Sequence, residues 1–187
     1  MATSTSPSGA TPDPATMALS SSSSLIQPIM APSPLPPPRH GQTFIFLAGS
    51  TTTTSSTPWR TALIHDLSHH FTTPPPITIF NPHRSDWDSS WIESPAFAPW
   101  AEQVSWELNA QELADIIVFY FDPDTQAPMS LMELGLFVKS GKCVVCCPER
   151  YWKWGYVTLL CERWGVEVVG TLAELGEAVV RRLEAIG

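Results

Sequence analysis

The chain has 187 residues and a formal net charge of −8, enough length for one domain of ordinary size with a full core. An acidic surface repels phosphate polymers, which argues against long nucleic acids as partners but not against a small substrate carrying one phosphate. No stretch approaches the roughly 18 consecutive apolar residues that span a bilayer, so a cytoplasmic protein without a membrane segment is expected.

Residues 1–40 are dominated by Ser, Thr, Pro and Ala, with Asp13 and Arg39 as their charges. Such a composition offers too little apolar surface to offset the entropy of ordering, so a disordered tail is expected there. No basic start precedes an apolar run, as a secretory signal would require. The short patch Leu25 to Met30 is its one candidate for docking. Residues 41–187 contain all eight tryptophans and read as a single α/β domain.

Four apolar runs follow: Phe44 to Ala48, Ile77 to Phe80, Ile116 to Phe121 and Cys143 to Cys147, with a weaker fifth at Val166 to Val169. The third and fourth lack polar alternation, as strands buried on both faces of a parallel sheet do. Helical patterns lie between them. Thr57 and Pro58 read as an N-cap and first helical residue ahead of Trp59, Leu63, Leu67 and Phe71. Further helices are predicted over Trp100 to Leu113, Ser130 to Lys139 and Tyr151 to Trp164. A last one follows a capping box of Thr171 and Glu174. Strand and helix alternate five times, which predicts a flavodoxin-like or Rossmann-like doubly wound five-stranded parallel sheet with helices on both faces.

Ligands of such sheets sit beyond the carboxyl ends of the strands, so the informative residues are Gly49 and Ser50, then Asn81 to Asp88, then Asp122 to Glu133. No phosphate-binding Walker loop, dinucleotide Gly-x-Gly-x-x-Gly or serine elbow occurs, and no cofactor is expected. Cys143 and Cys146 have zinc-knuckle spacing, but alternation along a strand sends them to opposite faces. With no suitably spaced histidine pair, buried thiols in a reducing compartment are expected, and no metal.

Carboxylates remain. Glu133 lies near the start of its predicted helix, where the helix dipole favours an ionised group able to attack an anomeric carbon. Alternatively, Ser130 and Glu133 form a capping box and the glutamate binds only backbone. Glu107 falls at the edge of an inward stripe of Trp100, Val104, Leu108 and Gln111; it either serves the site or lies exposed on a rotated helix. Asp122 and Asp124 line the productive end or shape a turn. In NPHRSDWD, Asn81, Arg84, Asp86, Trp87 and Asp88 supply sugar contacts, a phosphate anchor at Arg84 and a stacking surface at Trp87, or else brace the loop. Asp115, at the opposite strand end, reads as structural, and His65, His69 and His70 as surface residues.

The order FLAGS, NPHRSDWD, QVSWEL, ADIIVFYFDPDT, SLMELGL and KCVVCCPERYWKWG resembles the nucleoside 2-deoxyribosyltransferase superfamily, in its deoxyribosyltransferase-like branch, from about Thr43 to Leu175. The resemblance implies a flavodoxin-like domain and a double displacement on a nucleoside or nucleotide, with an acceptor base or water taking the sugar. It implies that the glutamate of Met132-Glu133-Leu134-Gly135 is the nucleophile and that Glu107 is the acidic partner eight residues before the strand start Ala114-Asp115. It also implies a site built at subunit contacts of a homo-oligomer. On the same resemblance, the first motif is expected to supply Phe46, Gly49 and Ser50 to the pocket. Two positions depart from the pattern: Phe46 stands where a tyrosine touches the nucleophile, and Ala127 where a polar residue precedes the glutamate by six. Enzyme, hydrolase of nucleotides or NAD, and non-catalytic nucleotide-binding module are the readings this leaves.

Overall fold

The computed structural model describes residues 25–38, 40–51, 58–71, 76–88 and 90–186. Six parallel strands form one sheet: β1 (Ile26–Met30), β2 (Thr43–Gly49), β3 (Ile77–Asn81), β4 (Ile116–Tyr120), β5 (Cys143–Cys146) and β6 (Val168–Val169), in the order β1-β3-β2-β4-β5-β6. The helices are α1 (Trp59–His70), α2 (Ala98–Leu113), α3 (Pro128–Phe137), α4 (Trp154–Arg163) and α5 (Leu172–Ile186).

Alternation along the strands divides the core in two. Phe44, Phe46, Ala48, Ile117, Phe119 and Val145 pack with Trp106, Leu134 and Val157 from α2, α3 and α4. Ile45, Leu47, Ile79, Ile116, Val118 and Val144 pack with Leu63, Leu67, Leu175 and Val179 from α1 and α5. The central strands are covered on both faces, which is why β4 reads as an unbroken apolar run. Each of the Val, Leu, Ile and Phe side chains contributes roughly 1.5–3 kcal/mol by burial.

From β2 onward the strand order is flavodoxin-like. The chain steps from β2 to β3 on one side and then returns past β2 to β4 on the other, so the winding reverses between β2 and β4. Side chains at the carboxyl ends of these two strands therefore flank the crevice where such sheets bind ligands.

The strand count corrects the sequence reading, and so does part of the tail. Residues expected to be disordered supply β1, which pairs in parallel with β3 from Ile26 opposite Ile77 to Met30 opposite Asn81. Composition could not reveal this, because the stabilising groups are the unpaired backbone edge of β3 and the pockets that receive Ile26, Ile29 and Leu35. Pro28 fits because an edge strand tolerates a missing donor. The segment is fastened further by the Trp106 indole N–H, which donates to Ser33 O at 2.7 Å. Residues 1–24 and Thr57, the predicted cap of α1, lie outside the described residues. Among the described residues no helix is long and apolar enough to cross a membrane.

Three boundaries shift in ways that matter. On α3 the N-cap is Ala127, in the left-handed region at φ 43, so Ser130 lies inside the first turn and does not cap. On α2 the inward face is Gln103, Trp106, Ala110 and Gln111, while Leu108 is exposed; the stripe is rotated from the expected one. The α5 capping box forms as predicted: Glu174 Oε2 accepts from Thr171 N at 2.9 Å and Thr171 Oγ1 from Glu174 N at 3.2 Å. A cap of this kind typically contributes about 1 kcal/mol.

Candidate active site

The floor of the crevice is set by Gly49, the last residue of β2. Its φ is 126, and a Cβ there would meet Tyr120 O of β4 at 2.2 Å, so the close approach of the two strand ends requires glycine. Ser50 follows. Its backbone N–H donates to Tyr120 O at 2.9 Å, and its buried Oγ accepts from Asp122 N at 2.9 Å. Asp122 in turn uses Oδ1 to hold Asp124 N at 2.9 Å. Ser50 and Asp122 thus lock the β2 and β4 ends together.

Arg60, a residue the sequence reading overlooked, lies over this floor. It sits one position into α1, is only 8% exposed, and donates to Leu47 O at 3.2 Å, Gly49 O at 3.1 Å and Ser50 O at 3.2 Å. Burial lowers its pKa to about 10, while the charges of Glu107 and Glu133 act in the opposite direction. The guanidinium therefore remains a cation at neutral pH. Its hydrogen bonds go to neutral carbonyls, and the negative charges that balance it are the two glutamates.

Glu107, on α2, accepts from Gln103 Nε2 at 2.8 Å, and the same Nε2 donates to Pro82 O at 2.9 Å. That amide ties the loop after β3 to the carboxylate. Burial raises the pKa of Glu107, with Gln103 and Arg60 pulling the other way.

Glu133, on α3, accepts a short hydrogen bond from Gln111 Nε2 and is also hydrogen bonded by the Ser130 side chain. Its carboxylate is thus held by side chains of α2 and α3, and the capping alternative falls away. Its ionisation corrects the expectation of a carboxylate kept ionised by the helix. Burial first, then the charge of Glu107, push its pKa up to about 7, against the bonds from Gln111 and Ser130 and the charge of Arg60. A helix terminus supplies roughly 0.3–1 kcal/mol at an exposed site, less than the cost of withdrawing a carboxylate from water beside a second acid.

The other predicted residues divide. Phe46 is 1% exposed and packs against Trp106 at 6.4 Å between ring centroids, without a polar atom to offer. Asn81 is buried at the end of β3, where Oδ1 accepts from His83 N at 3.0 Å. Arg84 is paired with Asp86 at 2.7 Å and Glu102 at 2.8 Å and lies over the Trp91 ring at 5.0 Å. It braces the loop, and its charge is already matched. Asp88 is an exposed turn residue accepting from Ser90 N at 2.8 Å. Trp87 is 48% exposed and packs with tilted rings against Trp91 and Trp100 at 5.0 and 5.7 Å. No described contact joins Trp87 or Asp88 to the acid pair.

The structure thus gathers Gly49, Ser50, Asp122, Ser130, Glu107 and Glu133 with Arg60, Gln103 and Gln111. The last three carry one signal that sequence does contain: polar residues on the inward stripes of α1 and α2. Cys143 and Cys146 do point to opposite faces, as strand alternation requires; burial pushes both thiols up to about 12. Among the described residues no group of three or more His, Cys, Asp or Glu is placed to hold a metal ion. A cavity of about 310 Å³ lies between α3 and α4, lined by Leu131, Leu134, Lys153, Tyr156, Val157 and Leu160; it does not include the acid pair.

Comparisons with known proteins agree with this architecture. The family model described as "Nucleoside 2-deoxyribosyltransferase like" matches residues 42–151, a span from the start of β2 to the turn before α4. Among solved structures, the chain is similar to a conserved protein from Enterococcus faecalis V583. The identity is 15%, the TM-score 0.54, and the match covers 75% of this chain and 99% of that one. At that identity the likeness speaks for the fold alone. Among curated proteins none matches the chain.

Proposed function

The chain belongs to the nucleoside 2-deoxyribosyltransferase-like family, and from that premise we propose that it cleaves or transfers the N-glycosidic bond of a nucleoside or nucleotide with Glu133 as nucleophile. The observation that carries the reading is the pairing of Glu133 with Glu107 at the switch point of the sheet, each clamped by its own α2 glutamine and facing the buried Arg60. In the first step a Glu133 oxygen bonds to C1′ of the sugar. The C1′–N bond breaks, its electron pair leaves with the base, and the base takes up a proton from water. In the second step the nitrogen of an acceptor base, or a water oxygen, bonds to C1′ and loses its proton to water. The glycosyl ester breaks and the Glu133 carboxylate returns. Glu107 accepts a sugar hydroxyl, and two carboxylates against one guanidinium leave net negative charge for the cationic character that C1′ acquires.

Base exchange tests this. The protein is incubated with a deoxynucleoside and a different free base; swapped nucleoside marks a transferase and free sugar a hydrolase. Saturable nucleotide binding with neither product selects the non-catalytic module, the reading favoured by Phe46, which offers no hydroxyl. If Glu133→Ala matches wild type on every substrate turned over, the nucleophile assignment is wrong. Equal use of nucleosides and their monophosphates accords with an Arg84 already held by Asp86 and Glu102; a large loss confined to monophosphates in Arg84→Ala would restore the phosphate-anchor role.

The working form we propose is a cytoplasmic homo-oligomer. Met132, Leu136, Tyr156 and Leu159 are exposed large apolar side chains on α3 and α4, and such clustering marks subunit contacts.

A further inference from the structure

The two acids are held by glutamines of the same helix, but the two clamps are not equivalent. Gln103 has two acceptors for its NH2 group: Pro82 O at 2.9 Å and Glu107 Oε1 at 2.8 Å. A backbone carbonyl cannot donate, so turning this amide over would set two oxygens against each other. Glu107 therefore always faces an N–H donor, which suits its ionised form. The side-chain oxygens of both glutamines are enclosed with no donor, so the difference lies in the nitrogens: Gln111 is wholly buried and its Nε2 meets Glu133 alone among the hydrogen bonds described. With no second bond to forfeit, this amide can present N–H to a carboxylate or C=O to a protonated carboxyl.

We propose that Gln111 is a positioning residue able to hold Glu133 in both of its protonation states, so that Glu133 can carry the proton the pair retains while Gln103 keeps Glu107 a carboxylate. The inference rests on the reading of Glu133 as the reacting group. It adds a reason why that group keeps one orientation while gaining and losing a proton around neutral pH. The charged groups facing Glu133 are Glu107 from α2 and Arg60 from α1, with the Ser130 hydroxyl on its own helix. Arg60 acts on both acids, so it sets how many protons the pair keeps and leaves their distribution to the two amides.

The test needs no substrate. Side-chain carboxyl carbons of glutamate are labelled with 13C in the full chain and followed by NMR across the pH range. Resonances are assigned by their loss in Glu133→Gln and Glu107→Gln. The Glu133 signal is expected to titrate at the higher pH and the Glu107 signal at the lower. In Gln111→Leu, circular dichroism should report a retained fold, and the Glu133 midpoint should move up by about one pH unit or more, because the charge-assisted donor is lost. The reverse order of midpoints in the wild type overturns the proposal without any Gln111 variant. An unmoved Glu133 midpoint in folded Gln111→Leu overturns it as well. Absence of both swapped nucleoside and free sugar alongside the expected titration would sink the catalytic reading and leave the role of Gln111 standing.

Discussion

Replacing Glu133 by glutamine should stabilise the protein at alkaline pH. The amide keeps an oxygen for Gln111 and removes a charge that burial and Glu107 disfavour. In the folded chain the group titrates at about 7, against 4.5 for the unperturbed side chain. Between those values the native state holds more proton than the unfolded state, so wild-type stability falls as pH rises through that window and levels off above it. A rise from 4.5 to about 7 corresponds to roughly 3 kcal/mol, the most the substitution can return. Below pH 4.5 the two proteins should unfold at nearly the same urea concentration. By about pH 8 the variant should be the more stable by up to that amount. The assay is urea unfolding followed by tryptophan fluorescence at several pH values, comparing midpoints at equal slope. A variant that is less stable at pH 8, or a difference that does not change with pH, would refute the placement of Glu133 as a buried, disfavoured anion.

Other outcomes follow from the same geometry. If Glu133 must be ionised to attack, kcat/KM for base exchange should climb with pH and level off above a midpoint near 7; a rate flat from about pH 5 to 8 would contradict this. Gly49→Ala should cost at least about 2 kcal/mol by thermal unfolding, since its Cβ would meet Tyr120 O at 2.2 Å; a near-neutral effect would show that β2 and β4 do not approach so closely. Tyr156→Glu combined with Leu159→Glu, both on the exposed apolar face of α4, should lower the mass seen by light scattering to that of one chain without unfolding it. An unchanged mass would locate the subunit contact elsewhere.

Much of this fold is legible in the sequence because buried strands advertise themselves. Ile116 to Phe121 and Cys143 to Cys147 contain no polar residue, and the Thr171–Glu174 box marks the start of α5. What escaped has identifiable physical causes. β1 depends on the open edge of β3 and on tertiary pockets, neither of which composition records. The apolar stripe read from α2 includes Leu108, which is exposed, and leaves out Gln103, which is buried. A stripe defined by apolar residues passes over Gln103, whereas Gln111 lies on both the expected and the observed face. Arg60 was missed although a cation beside Trp59 on a buried stripe is as costly as a glutamate there. For Glu133, sequence named the residue but not its state, because the state depends on how much water the site excludes and on how near Glu107 and Arg60 come.

The central claim is a bond between Glu133 and a sugar. It is tested most directly by quenching the protein in acid during turnover of a nucleoside and mapping its peptides by mass spectrometry. A pentosyl or deoxypentosyl addition on the peptide carrying Glu133, absent from Glu133→Gln, is the predicted result. Turnover that leaves Glu133 unmodified at every quench time, with a sugar found on another residue, would contradict it.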